Sequence, residues 1–145
     1  MFKNILLASD GSDLSRQAMH EAVQLAKSTG AKMIALAVAV DFNPYLATEL
    51  VMSNDEMQPL SEILKDAESH VKEIEELAKS SGVAVQTHVV MGYEPAEEIL
   101  KMAEEKSCDL IFMASHGRRG IDKIFLGSQA EKVLNNSKVP VLIFK

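Results

Sequence analysis

The residues with the clearest chemical meaning lie in one stretch, Met113–Ser128, which contains three glycines and ends in a hydroxyl side chain. Glycine lets backbone N–H groups come close to an oxyanion, because it has no Cβ to stand between them. A helix that begins near Ser128 would add its unpaired amides and the positive end of its dipole. The stretch therefore predicts an anion site, and a phosphate-bearing ligand is the simplest occupant.

Basic side chains are concentrated in the same stretch, although the chain as a whole is acidic. The net charge is -6 over 145 residues, whereas four basic residues fall close together, namely His116, Arg118, Arg119 and Lys123. General nucleic-acid binding requires a basic surface that releases counterions from phosphates. The charge pattern therefore favours a small anion over a polyanion, and we expect no nucleic-acid partner.

Length and composition indicate a single domain spanning residues 1–145. With 47% hydrophobic residues, the chain can bury a sizeable core but has no room for a second domain. No apolar run reaches the length of a membrane span, and the first residues lack the pattern of a signal peptide. We therefore expect a cytoplasmic protein without membrane association. The lone Cys108 is expected to fill a packing position.

Apolar runs alternate with amphipathic segments along the chain, which is the pattern of an α/β protein. Five apolar runs are predicted to form strands, at residues 2–9, 32–40, 83–90, 110–114 and 139–144. Four segments with apolar residues every three or four positions are predicted to form helices, at about 12–30, 59–82, 95–107 and 128–135. Residues 41–58 are less regular, and the sequence assigns them no role.

This order predicts a doubly wound, five-stranded parallel sheet flanked by four helices, with right-handed crossovers. Polar Gln86 and His88 alternate with valines in the third strand, and Pro140 removes a ladder hydrogen bond from the last, so both strands are expected at sheet edges. In such sheets, ligands bind beyond the carboxyl ends of the strands, where the strand order reverses. The turn at residues 10–12, after the first strand, and the glycine stretch, after the fourth, are therefore predicted to share one crevice.

Taken in order along the chain, these features resemble the universal stress protein family. The resemblance covers nearly the whole chain and rests on five short elements, which are Asp10-Gly11-Ser12, Gly92–Ile99, Ser115-His116-Gly117, Gly127-Ser128 and Val139-Pro140-Val141. It implies a Rossmann-like fold of the adenine-nucleotide-binding type. It also implies a protein that binds ATP and acts as a regulator in a stress response.

The resemblance assigns a role to each matching position. Gly117, Gly127 and Ser128 would hold the triphosphate oxygens of ATP. Asp10 would hold the ribose, and the backbone near Val38 would meet the adenine. Magnesium or manganese is expected only as the companion of the triphosphate, because the sequence shows no dedicated carboxylate cage.

One position departs from the family pattern, and two others extend it. The nucleotide-binding branch has a glycine where this chain has Ala114, and a methyl group there would matter if it blocked the approach of the backbone or a dihedral angle that only glycine accepts easily. His116 and Arg118 are further phosphate candidates from the basic cluster. Gly120 is interpreted as a loop glycine outside the motif.

Each site residue also has a simpler structural interpretation. Ser128 followed by Glu131 is a capping box, which explains the serine without a ligand. Gly127 suits the turn into a helix, and Arg118 is a charge of the kind that often lies free in solvent. Asp10 before Gly11 is an ordinary turn pair.

Enzymatic activity is not expected. The chain contains no phosphate loop with its lysine, no nucleophile elbow and no dinucleotide fingerprint, so rapid ATP hydrolysis lacks its usual machinery. The alternative to an ATP-binding regulator is an interaction module of the same fold that binds no nucleotide. An adenylylating enzyme is a third possibility, for which the sequence has no signature. Homodimerisation through the apolar run Val139–Phe144 is expected in either of the first two cases.

Overall fold

A computed structural model describes residues 1–41, 58–117 and 126–145 of the chain. In these residues the strands are β1 (Asn4–Ala8), β2 (Lys32–Val40), β3 (Val85–Gly92), β4 (Leu110–Ala114) and β5 (Val141–Phe144). The helices described are α1 (Asp13–Thr29), α2 (Leu60–Ser80), α3 (Pro95–Glu105) and α4 (Ser128–Asn136). The predicted α/β class is confirmed.

The sheet is parallel, with strand order β3-β2-β1-β4-β5. The chain builds outward from β1 to β3 and then returns to the other side of β1 to add β4 and β5. The order therefore reverses between β1 and β4, which places the two loops that follow these strands side by side. The predicted edge positions of β3 and β5 are both confirmed, and the Pro140 carbonyl accepts a hydrogen bond of 3.0 Å from the Ile111 N–H at the start of β5.

Helices cover both faces of the sheet, and alternate strand residues feed two separate cores. One core lies under α1 and α2 and includes Ile5, Leu7 and Phe112. The other lies under α3 and α4 and includes Leu6 and Ile111. Burial on both faces explains why the central strands read as nearly continuous apolar runs.

Three strands are shorter than predicted at their amino ends, because the residues there make hydrogen bonds outside the strand ladder, to a distant carboxylate before β1 and within turns before β3 and β5. The N–H of Lys3 donates to the Asp109 carboxylate at 2.8 Å, and the N–H of Val83 donates to the Ala78 carbonyl at the end of α2 at 2.8 Å. The N–H of Val139 likewise donates to the Ser137 hydroxyl at 3.1 Å. Apolar residues in such turns extend a hydrophobic run without extending the strand.

The predicted limits of the helices hold where capping residues define them. The Ser12 hydroxyl accepts a hydrogen bond of 3.2 Å from the Ser15 N–H at the start of α1. Gly30 ends that helix in the left-handed conformation, with φ of 71°. Helix α3 ends two residues earlier than predicted, because Ser107 turns the chain with φ of 50°.

His88, on β3, has a buried ring nitrogen that affects stability as pH changes. Its Nε2 atom has no hydrogen-bond partner among the described residues. Burial, with the nearby Lys106 charge, lowers the pKa of His88 below its ordinary value of 6.5. The unfolded chain therefore takes up protons before the folded one does as pH falls.

Folding stability should accordingly be complete above pH 6.5 and decline as pH falls toward the folded pKa of His88. The substitution His88→Gln removes this titration. Denaturant unfolding of both proteins between neutral and mildly acidic pH should show a flatter pH dependence for the variant over this range. Identical profiles for the two proteins would show that His88 is as well solvated as in the unfolded chain.

The predicted packing role of Cys108 is confirmed, because the residue is buried in the core under α3 and α4. Burial raises the pKa of its thiol to about 11. A thiol with that pKa is almost entirely protonated at neutral pH and is therefore a poor nucleophile.

Candidate functional site

Asp10 is held in the loop between β1 and α1 by hydrogen bonds to one of its two carboxylate oxygens. Oδ1 accepts from the Ser12 N–H at 3.0 Å and from the Ser15 hydroxyl at 2.7 Å. Ser15 is buried, in the first turn of α1. The sequence analysis did not identify the Ser15 hydroxyl as part of the site. The available signal was its position in the first turn of α1, five residues after Asp10. These contacts fix the direction in which the carboxylate points.

Gly11 makes the sharp turn of this loop and is covered by a histidine from α2. Its φ of 74° lies in the left-handed region, and a Cβ added there would come within 2.1 Å of His70 Nε2. His70 is buried, with 8% of its surface exposed. The sequence analysis assigned no role to His70. The available signal was the placement of His70 beside Val71 and Ile74 on the buried face of α2.

The glycine stretch after β4 is closed at its base by backbone hydrogen bonds. The Ser115 N–H donates to the Phe144 carbonyl of β5 at 2.8 Å, and the Gly127 N–H donates to the Ser115 carbonyl at 2.7 Å. The chain thus leaves the sheet at Ser115 and returns to the same residue at Gly127. His116 lies at this base, with its Nδ1 atom 3.0 Å from the Ser115 hydroxyl oxygen.

The two loops meet where Asp10 approaches Gly117. A Cβ added to Gly117 would come within 2.0 Å of Asp10 Oδ2, the oxygen that faces away from the loop's own hydrogen bonds. Gly117 itself is exposed. The structure therefore brings Asp10 and Gly117 together at the carboxyl ends of β1 and β4, as the strand order requires.

Gly127 is also a point of close approach. A Cβ there would lie 3.1 Å from the Ser115 carbonyl oxygen and 3.2 Å from His116 Cα. Both neighbours are backbone atoms, which cannot swing aside as a side chain can. Close packing at the base of the loop therefore favours glycine at position 127, independently of any ligand.

The capping-box interpretation of Ser128 is wrong. Gly127 is the N-cap of α4, and Ser128 is the first helical residue, with no side-chain hydrogen bond capping the helix. The first backbone bond of the helix runs from the Glu131 N–H to the Gly127 carbonyl at 3.0 Å. Among the described residues, the N-cap therefore supplies no side chain to the amides of the first turn, and such amides can bind an anion.

Ser128→Ala separates the two roles that were considered for this serine. Because the hydroxyl is exposed and caps nothing, we expect the free energy of unfolding to change by less than about 0.5 kcal/mol. If the hydroxyl contacts phosphate, ATP affinity should fall severalfold. Thermal unfolding and calorimetric titration measure the two effects separately. A decrease of about 1 kcal/mol in the free energy of unfolding would instead show that the Ser128 hydroxyl caps the helix.

The methyl group of Ala114 does not obstruct the site in either of the two ways considered. Ala114 lies within β4, and among the described non-glycine residues only Ser107 has a positive φ. Its side chain packs into the core under α1 and α2, and the residue is 7% exposed. Glycine is therefore not required at position 114 by backbone geometry.

Val38 lies near the carboxyl end of β2, with its backbone facing the crevice side. The Leu36 carbonyl accepts from the Ser9 N–H at 3.0 Å, which shows that the backbone groups of Leu36 face β1. Successive residues of a strand alternate in direction, so those of Val38 face the same side. Because β1 ends at Ala8, they point past its last residue.

Part of the basic cluster lies outside the described residues. The residues of the cluster in this part are Arg118, Arg119 and Lys123, and the structure does not test their predicted contacts. Gly120, interpreted as a loop glycine, also lies outside the described residues. Within the described ranges, no group of three or more acidic, histidine or cysteine residues is arranged to hold a metal ion. None of the described helices is both long and apolar enough to cross a membrane.

Helix α4 is attached to the start of α3 by two polar contacts. Gln129 Oε1 accepts a hydrogen bond of 2.9 Å from the Ala96 N–H, and Lys132 Nζ lies 2.6 Å from Glu94 Oε1. Hydrogen bonds from Lys132 and Gln129 lower the pKa of Glu94. The helix whose first turn borders the crevice is therefore joined to a neighbouring helix on the same face.

Known proteins resemble this chain over its full length. The model of the universal stress protein family matches residues 1–145. The universal stress protein MJ0531 of Methanocaldococcus jannaschii is 36% identical over 146 residues, which cover 100% of this chain and 83% of that protein.

Solved structures show the same fold. The structure of protein MJ0577 has a TM-score of 0.80 and 29% identity, covering 100% of this chain and 96% of the other. A universal stress protein in complex with cAMP has a TM-score of 0.72 and 25% identity, covering 99% and 97% of the two chains. A family model that matches every residue is decisive, and the chain therefore belongs to the universal stress protein family.

Proposed function

We propose that this protein binds ATP in the crevice between the loops that follow β1 and β4. The observation that carries the proposal is the meeting of Asp10 and Gly117 at the point where the strand order reverses. A universal stress protein of the same fold was crystallised with cAMP, which supports an adenine nucleotide as the ligand.

The residues around the crevice fit the parts of ATP. Asp10 has one carboxylate oxygen held by its own loop, and its second oxygen lies beside Gly117. In the proposal, this carboxylate accepts hydrogen bonds from the ribose hydroxyls. Gly117, Gly127 and the uncapped first turn of α4, with Ser128, would hold the phosphates. The Val38 backbone groups that point past β1 would recognise the adenine edge.

The same residues argue against efficient hydrolysis of ATP. Magnesium or manganese bound with the triphosphate would neutralise charge and hold the phosphates in one conformation. Hydrolysis further needs a group that orients an attacking water. Asp10 is the acidic residue identified at this crevice, and the proposal assigns it to the ribose. We therefore assign a binding and regulatory role, with weak ATPase activity at most.

The regulatory part of the proposal rests on α4. A ligand at its first turn acts on a helix that is joined to α3 through Gln129 and Lys132. Nucleotide occupancy would thus bias the position of α4 and alter the surface that it shares with α3. A cytoplasmic regulator that responds to nucleotide is the function that this arrangement supports best.

The proposal includes a homodimer formed through the segment Val139–Phe144. Strand β5 is an edge of the sheet, so one row of its backbone groups has no neighbouring strand within it. Leu142 on this strand is 36% exposed and Leu134 on α4 is 45% exposed. Pairing of two β5 strands would satisfy the backbone groups and cover apolar surface.

Leu142→Arg should convert the dimer to a monomer, because two like charges would meet across the symmetric interface while the monomer fold keeps an exposed side chain there. Sedimentation analysis of the wild type and the variant at equal concentration measures the mass. Glu73→Gln, on α2 at the opposite face of the sheet, serves as the control and should remain dimeric. A dimeric Leu142→Arg protein would place the interface elsewhere.

Nucleotide retained through purification tests the ligand. Protein prepared without added nucleotide should release adenine nucleotide on heat denaturation, and chromatography of the supernatant identifies it. If nothing is released and titration with ATP also shows no binding, the interaction module without nucleotide becomes the better account.

A further inference from the structure

Helix α2 makes two contacts with this part of the molecule, one with the loop that carries Asp10 and one with the first turn of α1 that follows the loop. The ring of His70 lies against Gly11, where a Cβ would be within 2.1 Å of Nε2, 2.4 Å of Cδ2 and 2.7 Å of Cε1. One turn further along α2, the Glu73 carboxylate accepts two hydrogen bonds, of 3.1 and 3.3 Å, from the guanidinium group of Arg16 in α1. The α2 residues His70 and Glu73 lie outside the five sequence elements on which the family resemblance rests.

We propose that His70 is a positioning residue that holds the Gly11 turn and thereby aims the Asp10 carboxylate into the crevice. This inference rests on the proposed function, in which Asp10 meets the ribose of ATP. His70 itself does not touch the ligand in this account. It acts through the backbone of Gly11.

The geometry makes the turn a sensitive point. Gly11 directly follows Asp10, and the next residue, Ser12, supplies the N–H that holds Asp10 Oδ1 at 3.0 Å. A shift of Gly11 therefore moves both the Asp10 backbone and one of the donors that fix its carboxylate. Glycine is also the residue with the widest choice of backbone conformations. Inside the loop, the Gly11 N–H donates to the Ser9 hydroxyl at 3.2 Å, and the His70 ring adds packing from outside the loop.

Of the two contacts from α2, the ring is the one that can supply this support. His70 and Gly11 are both buried, and packing between buried groups is stiff. Arg16 and Glu73 form a surface pair, with 47% and 41% of their side chains exposed, and solvent screens such pairs. Removal of the ring should therefore loosen the turn, whereas loss of the surface pair should not.

The expected consequence is a loss of ribose recognition rather than a general loss of binding. If the Asp10 carboxylate points in another direction, it loses its hydrogen bonds to the ribose hydroxyls. The contacts to the phosphates and the adenine do not depend on Asp10 and should remain. The affinity for ATP should then approach that for 2′,3′-dideoxy-ATP, which lacks both hydroxyls. A purely structural role of His70 would weaken both ligands equally.

The test compares dissociation constants for ATP and 2′,3′-dideoxy-ATP in the wild type, His70→Ala and the matched control Glu73→Gln. In His70→Ala, ATP affinity should fall about tenfold, the effect of losing hydrogen bonds to a charged group. Dideoxy-ATP affinity should stay nearly constant, so the preference for ATP disappears. Glu73→Gln should keep the wild-type preference. A preserved preference in His70→Ala would overturn the inference.

Two further measurements keep the test decisive. His70→Gln fills much of the same space without a rigid ring, and it should show the same loss of preference if His70→Ala does not fold. In addition, Gly11→Ala should weaken ATP binding less in the His70→Ala background than in the wild type, because the ring that the new methyl would strike is gone. Additive effects would contradict a contact through Gly11. Absence of ATP binding in the wild type would instead refute the proposed function.

Discussion

Replacing Gly11 with alanine is expected to lower the free energy of unfolding by about 2 to 5 kcal/mol. The left-handed conformation at Gly11 costs a non-glycine residue about 1 to 2 kcal/mol. The new methyl would also displace the buried His70 ring, and overpacking of this kind costs about 1 to 3 kcal/mol. Denaturant unfolding monitored by circular dichroism measures the change.

Gly30→Ala is the matched control for Gly11→Ala. Gly30 has nearly the same φ, 71°, but a Cβ there meets no atom of the described residues within 4 Å. Its loss of stability should therefore come from the conformation alone, about 1 kcal/mol. Equal losses for the two variants would show that His70 does not press on the loop.

Replacing Gly117 with alanine is expected to weaken ATP binding by about 10- to 100-fold with little change in stability. Its Cβ would fall on the position now taken by Asp10 Oδ2, so the carboxylate must move away from the crevice. A displacement of about 1 Å at a binding group is sufficient for an effect of this size. Because Gly117 is exposed, the chain can accommodate the methyl without disturbing the core.

Calorimetric titration with ATP, paired with thermal unfolding, measures the effect of Gly117→Ala. Gly82→Ala, on the connection between α2 and β3, is the control because it lies away from the crevice. It should lose some stability through its φ of 78° but keep its ATP affinity. Undiminished ATP binding by Gly117→Ala would mean that neither Gly117 nor the present position of Asp10 is used by the ligand.

The sheet was predictable from the sequence because hydrophobic pattern and burial coincide in a doubly wound fold. The limits of β2 and β4 match the apolar runs at residues 32–40 and 110–114, since both strands are covered on both faces. The edge position of β3 followed from its polar alternation. The predicted limits failed at three strand starts, where hydrogen bonds to groups outside the ladder replace ladder bonds, and hydrophobicity does not reveal such bonds.

The environment of the candidate site was only partly predictable. The approach of Asp10 to Gly117 follows from strand order alone, because the carboxyl ends of adjacent parallel strands lie together. The contact between His70 and Gly11 does not follow from local pattern, because it depends on how far along the sheet α2 lies. The sequence predicted Ser128 as the N-cap of α4, whereas the N-cap is Gly127. The sequence does not show which residue is the last one with an extended backbone before the helix begins.

Gly117 and Gly127 show why a glycine motif cannot by itself establish a ligand. Gly127 lies so close to the Ser115 carbonyl and the His116 backbone that a Cβ would be tight there, whether or not a phosphate is present. At Gly117, a Cβ would displace the end of the Asp10 side chain. The ligand must therefore be established by binding, with a variant that leaves these packing contacts intact.

Calorimetric titration of ATP into nucleotide-free wild type and Asp10→Asn tests the central claim most directly. The asparagine side chain keeps an oxygen for the Ser12 and Ser15 donors but loses the charge that would face the ribose. We expect one ATP per chain in the wild type and an affinity at least about tenfold lower in the variant, with similar thermal stability. No heat of binding in the wild type at millimolar ATP, or equal affinity in the two proteins, would contradict the assignment of this crevice to ATP.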